Sequence, residues 1–203
     1  MIASGDRRQK TGLTEEDMTK ALSLAAICAA TLLTTAGTAG ATSQIIGNGS
    51  TRECSDAATG GRSDSRAVLA CTTALELETL TFRDRARTLV NRGVLQMRQG
   101  QYVAARADFD QASRLDPQMG EAYVNRGATY VGEERWREGV SEIDKGLSMG
   151  VKDPERAWYN RALAHEGLGD LNAAYRDYSR AAELKPDWAA PKTELARFTV
   201  KRP

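Results

Sequence analysis

The sequence predicts an all-α protein, an α-solenoid of antiparallel helix pairs, and three observations carry that prediction. Asn91-Arg92-Gly93 returns as Asn125-Arg126-Gly127 after 34 residues (125 − 91) and as Asn160-Arg161-Ala162 after a further 35 (160 − 125). A fixed period of this size marks stacked supersecondary units, none of which buries its apolar face alone. Each copy also divides into two apolar runs at helical spacing, separated by Gly100, by the Gly132 to Glu134 region and by Gly169. Finally, each copy closes on a proline-bearing step where a helix cannot continue: Asp116-Pro117, Val151 to Pro154, and Lys185-Pro186.

Composition agrees with a helical, globular chain. Of 203 residues, 41% are hydrophobic and only 6% aromatic, while 28 Lys and Arg against 27 Asp and Glu leave a formal charge of +1. A chain this close to neutrality has no global field for nucleic acid or anionic lipid.

Taken in order, the elements begin with an uncharged run from Ala21 to Ala41 that closes on Ala39-Gly40-Ala41. This reads as a secretory signal peptide over residues 1–41, with translation starting at Met18 because Met18-Thr19-Lys20 forms an ordinary charged flank. The alternative is a retained membrane anchor, since the run is long enough to span a bilayer. Cleavage removes Cys28 and leaves Cys54 and Cys71, which are expected to pair in an oxidising compartment, with two free buried thiols as the alternative. Residues 42–63 are rich in Ser, Thr, Gly and Asn and predict a flexible leader, mostly loop. Residues 64–85 predict a half-repeat helix over about 64–78, with Val68, Leu69, Cys71, Leu75 and Leu77 as its stripe, followed by a linker. The three full copies span 86–119, 120–154 and 155–188. A terminal helix over 189–203, with Leu195 and Phe198 on one side, caps the array.

Small residues recur where two helices must approach closely: Gly93, Ala105 and Ala112, then Gly127, Gly139 and Gly146, then Ala162, Ala174 and Ala181. Larger apolar residues fill the spaces between, among them Leu89, Tyr102 and Phe109, Tyr123, Trp136 and Ile143, and Trp158, Leu171 and Tyr178. In this order and at this period the pattern resembles the tetratricopeptide repeat, over about half of the chain. The second copy departs from it. It has an extra residue before Glu155, lacks the turn glycine near Glu134, and carries Gly139 and Gly146 in place of alanine, at about 1 kcal/mol each in helix propensity. It is therefore expected to be the weakest copy.

Catalytic chemistry finds no constellation here. His165, the only histidine, occupies a core-like position without a Ser or Cys at motif spacing, and TGG at 59–61 lacks the Lys and strand of a phosphate loop. The sequence predicts no enzyme, no cofactor, no metal and no small-molecule substrate. A more informative pattern is an arginine followed sixteen residues later by an acid: Arg92 and Asp108, Arg126 and Glu142, Arg161 and Asp177. Within a hairpin that separation sets one helix opposite the other, so structural ion pairs are expected.

Asn91, Asn125 and Asn160 fall on another side of the first helix, among Val90, Val94, Met97, Val124, Ala128, Val131, Tyr159 and Leu163. By the tetratricopeptide resemblance this strip lines a concave groove, where asparagines hold the backbone of an extended peptide through an amide that both donates and accepts. Bridging of neighbouring helices by the same asparagines is the competing reading. The resemblance implies a protein or peptide partner, with membrane contact only if residues 21–41 are retained. The carboxylate clamp of chaperone-binding members is not matched, because it needs a lysine where Val90 stands and an asparagine where Val94 stands.

Overall fold

The computed structural model describes residues 49–198, and among them the chain forms nine helices and no strand. The signal-peptide reading of 1–41, residues 42–48 of the leader and residues 199–203 of the cap lie outside the described residues. The helices pair in order: α1 (Ser50–Thr59) with α2 (Ser65–Leu77), α3 (Phe82–Arg98) with α4 (Tyr102–Leu115), α5 (Gly120–Gly132) with α6 (Trp136–Met149), and α7 (Pro154–Gly167) with α8 (Leu171–Leu184). The short α9 (Ala189–Leu195) packs on α8. Each second helix also touches the first helix of the next pair, and the first helices α1, α3, α5 and α7 touch one another in succession. The first helices thus form one continuous wall.

The hairpins turn by the same device three times. The backbone N–H of Gln101 reaches Gln96 O, that of Arg135 reaches Tyr130 O and that of Asp170 reaches His165 O, each at 2.9 Å. This closure needs a left-handed residue just past the helix. Gly100 and Gly169 supply it at φ 74° and 78°, but the second hairpin places Glu134 there at φ 60°. A side chain in that region is disfavoured by roughly 1–2 kcal/mol, which the surrounding hairpin has to outweigh.

Helices within a pair approach through the small residues, and the aromatics that start α4 and α6, Tyr102 and Trp136, fill the gap to the next pair against Gly132 and Gly167. A Cβ on Gly93 would stand 2.5 Å from the Phe109 ring, and one on Gly132 would stand 2.7 Å from the Tyr102 ring. In α5–α6 the contact is backbone to backbone: a Cβ on Gly146 would stand 2.7 Å from Gly120 O, and one on Gly127 would stand 2.9 Å from Gly139 O. These glycines permit a contact that alanine does not fit, so the propensity cost expected for the second copy is set against close packing.

The leader is where the structure departs most from expectation. Residues 50–59 form a helix instead of a loop, and α1 completes a pair with α2. Its buried stripe is Thr51, Cys54, Ser55, Ala57 and Ala58, small or polar residues that give no apolar periodicity to read. Two long-range contacts hold it. Cys54 and Cys71 are joined by a disulfide with their Cα atoms 4.7 Å apart. Glu78, beyond the far end of α2, caps α1 by accepting from Ser50 N at 2.8 Å, from Thr51 N at 3.2 Å and from the Thr51 hydroxyl.

Candidate functional site

The wall of first helices carries Asn91, Asn125 and Asn160 at one register, and the structure shows how that wall is fixed. Arg92 sends Nε to Asp108 Oδ2 at 2.8 Å and Nη2 to Oδ1 at 2.7 Å. Arg161 makes the same bidentate contact with Asp177, at 2.7 and 2.8 Å, whereas Arg126 brings Nε and Nη2 to the single oxygen Glu142 Oε2 at 3.0 and 2.5 Å. The bonds to Asp108 and Asp177 are the main reason Arg92 and Arg161 sit above the ordinary arginine value. At Arg126 burial works against the charge, and the bonds to Glu142 and Asp110 outweigh it.

Each arginine has a second arm that the sixteen-residue spacing does not reveal. Nη1 of Arg126 reaches back to Asp110 at 2.6 Å, and Nη1 of Arg161 to Asp144 at 2.5 Å, both on the second helix of the preceding pair. Arg92 finds a hydroxyl instead, Thr72 Oγ1 at 3.2 Å. One guanidinium therefore staples its own hairpin and ties it to the previous one. A sequence signal was present: an acid stands sixteen residues before Arg126 and seventeen before Arg161. Asp108 and Asp177 are almost wholly buried, so they depend on their arginines, since an unpaired buried carboxylate is strongly destabilising.

The strip expected to line an open groove is covered. Val90, Asn91, Val94, Val124 and Asn125 have no exposed surface, and Met97, Ala128, Val131, Tyr159 and Asn160 are buried. Only Leu163 is half-buried. The expectation of free apolar contact area is corrected by how the wall packs: Val90, Val94, Met97 and Ala128 share one cluster, Val124 and Val131 a second, and Tyr159 and Leu163 a third with Trp188. Tyr159 stands 4.9 Å from the Trp188 ring, and burial pushes its hydroxyl up to about 12. The asparagines are not equivalent. Asn91 and Asn125 are engaged, whereas Asn160 Nδ2 is buried without an acceptor.

His165 is half-buried, with Nε2 3.8 Å from Asp177 Oδ2, and Asp177 is already held by Arg161. Among the described residues no group of three His, Cys, Asp or Glu side chains is placed to hold a metal ion.

Comparison with known proteins places this geometry. The tetratricopeptide-repeat family pattern matches residues 86–119 and residues 155–187. The DnaJ homolog subfamily C member 7 homolog of Schizosaccharomyces pombe is 30% identical over 115 residues, which is 55% of this chain and 24% of that protein. The chain spans less than two thirds of the curated relatives it matches, 9% and 14% of the first two. Among solved structures, MamA 41-end from Desulfovibrio magneticus RS-1 aligns with a TM-score of 0.56 at 18% identity, over 74% of this chain and 84% of that one. The first repeat domain of Spaghetti (RPAP3), bound to the HSP90 peptide SRMEEVD, aligns with a TM-score of 0.53 at 23% identity, over 57% of this chain and 90% of that one. At these identities the structural likeness speaks to the fold.

Proposed function

We propose, from the premise that this chain is a tetratricopeptide-repeat protein, that it is a non-enzymatic interaction module holding an extended segment of a partner protein along its wall of first helices. The observation that carries this reading is Asn160. It stands in register with Asn91 and Asn125, yet its buried Nδ2 has no acceptor, so a peptide carbonyl that displaces the side chains covering it supplies the missing partner. Asn91 and Asn125 take the structural role, and the contact surface lies on α7, where Leu163 is half-exposed. One such bond contributes only about 0.5–1.5 kcal/mol, so apolar and charged neighbours supply most of the affinity. The repeat domain with bound HSP90 peptide supports the general mode of use, while Val90 and Val94 stand against a chaperone tail as this chain's ligand.

The test is affinity capture from the native compartment. Asn160→Ala loses the captured protein at unchanged melting temperature, whereas Asn91→Ala lowers the melting temperature. Undiminished capture by the Asn160 variant refutes the α7 surface.

Export belongs to the same proposal. The run at 21–41 and the pairing of Cys54 with Cys71 support an oxidising destination. Mass spectrometry of the exported protein then finds Thr42 at its N-terminus; retention of residue 21 onward favours the second reading, a membrane-anchored envelope component.

A further inference from the structure

Cys54 meets Cys71 and Ser50 meets Glu78, so α1 runs antiparallel to α2 and the chain enters α1 at the far end of α2. Glu78 marks the place. It accepts from Ser50 N, and a Cβ on Gly49 would stand 3.5 Å from its carboxylate oxygen. Gly49 itself stands at φ 60°, a conformation that glycine adopts without a steric penalty and that turns the chain where it enters.

Beside this entry the chain rounds the corner from α2 to α3. Leu75 and Leu80 pack into the core cluster that holds Phe109, whereas Leu77 and Phe82 are each 79% exposed, more than any other large apolar side chain of the described residues. Single exposed apolar residues are ordinary on a protein surface, and Leu69 and Val103 are of that kind. Leu77 and Phe82 differ in flanking one corner, at the point where further chain arrives. Two side chains so exposed leave on the order of 300 Å² of apolar surface, against about 800 Å² on each partner of a standard stable interface. The patch is too small to hold a second copy of the chain and suits two aliphatic side chains.

Such a pair is at hand. Ile45 and Ile46 come four and three residues before Gly49 and are the last large apolar residues ahead of α1. Three or four extended residues span about 10–14 Å, and successive Cα atoms stand about 3.8 Å apart, so a segment tied at Gly49 reaches Leu77, next to Glu78, and Phe82 four residues on. Gly47-Asn48-Gly49, which joins the isoleucines to α1, is a run in which turns form readily.

We propose that Ile45 and Ile46 fold back on the α2–α3 corner and cover Leu77 and Phe82, as a strap over the first pair that turns at Gly49. It adds a third hold on the start of α1, after the disulfide and the Glu78 cap, and hides the two side chains most open to a foreign surface. Its docking depends on no partner of the wall of first helices.

The experiment places a photoreactive benzoylphenylalanine at Phe82 of the full chain and maps the crosslink formed on irradiation. The crosslink falls within the same chain, in residues 42–48. Ile45→Ser with Ile46→Ser cuts its yield about tenfold or more, because two aliphatic contacts are lost, while the helical circular dichroism is unchanged. The same probe at Val103, 72% exposed on α4, gives no crosslink to 42–48. A crosslink between two chains assigns the corner to a second copy and overturns the strap. So does one to a separate protein, a yield that survives the double substitution, or the lack of any crosslink to 42–48. Nuclear Overhauser contacts from the Ile45 or Ile46 methyls to the Phe82 ring read the same docking in the unaltered chain, and their absence overturns it equally.

Discussion

The first pair, α1–α2, and the third, α5–α6, bring two helices together by opposite means. The α1 interface is made of small and polar residues, with Cys54, Ala57, Ala58, Ala67 and Cys71 at its centre, and two distant contacts hold it, the disulfide and the Glu78 cap. In α5–α6 no covalent link is involved. Gly120, Gly127, Gly139 and Gly146 let the two backbones meet, and Val124, Val131 and Ile143 fill the space beside them. The difference teaches that a repeat can replace apolar area by a crosslink, or by closer approach, and still present the same face to its neighbour.

The largest effect expected from breaking this contrast is in the first pair. Removing the crosslink with Cys54→Ala and Cys71→Ala lowers the stability of α1 docking by about 3 kcal/mol, the loop-closure value for a separation of this size. Hydrogen exchange over residues 50–59 reads it. Unchanged protection there means the Glu78 cap and the small-residue contact suffice.

Next is Gly146→Ala. Alanine gains about 1 kcal/mol in helix propensity, but its Cβ meets the Gly120 carbonyl, the Val124 N–H and the Val124 side chain, and overpacking of that kind costs about 1–3 kcal/mol. The net expectation is a loss of about 1 kcal/mol in urea unfolding. Ala112→Gly, the counterpart in α4, loses a similar amount for the reverse reason. If Gly146→Ala stabilises the protein, the backbone contact is not what keeps glycine there.

Glu134→Gly sharpens the comparison from the turn. Glycine adopts φ near 60° without the Cβ penalty, so the α5–α6 hairpin gains about 0.5–1 kcal/mol after the added freedom of the unfolded chain is counted. A melting temperature that does not rise refutes strain at this residue. The smallest effect is one of pH. Glu78 is held below its ordinary value of 4.5, first by the Thr51 hydroxyl, with burial opposing. A depressed carboxyl contributes stability that is present above its unfolded value and lost as pH falls through its folded one. Protection of α1 therefore weakens on acidification below pH 4.5, and Glu78→Gln flattens that dependence. An identical acid profile in the variant removes Glu78 as the cause.

By itself the sequence determined the period, the helix pairs from α3 to α8, the sites of the hairpin turns and the arginine-to-acid step within a hairpin. These features are local. They follow from apolar spacing, glycine at left-handed positions, proline stops, and a separation short enough to fit inside one pair. Tertiary structure alone decided the rest. Helix α1 has no apolar stripe, and its cap comes from Glu78, 28 residues from Ser50. The backward arms to Asp110 and Asp144 depend on how one pair stacks on the previous one. Burial of the asparagine wall depends on that stacking too. Periodicity tells which face of a helix is buried; how successive pairs are set against one another decides what that face meets.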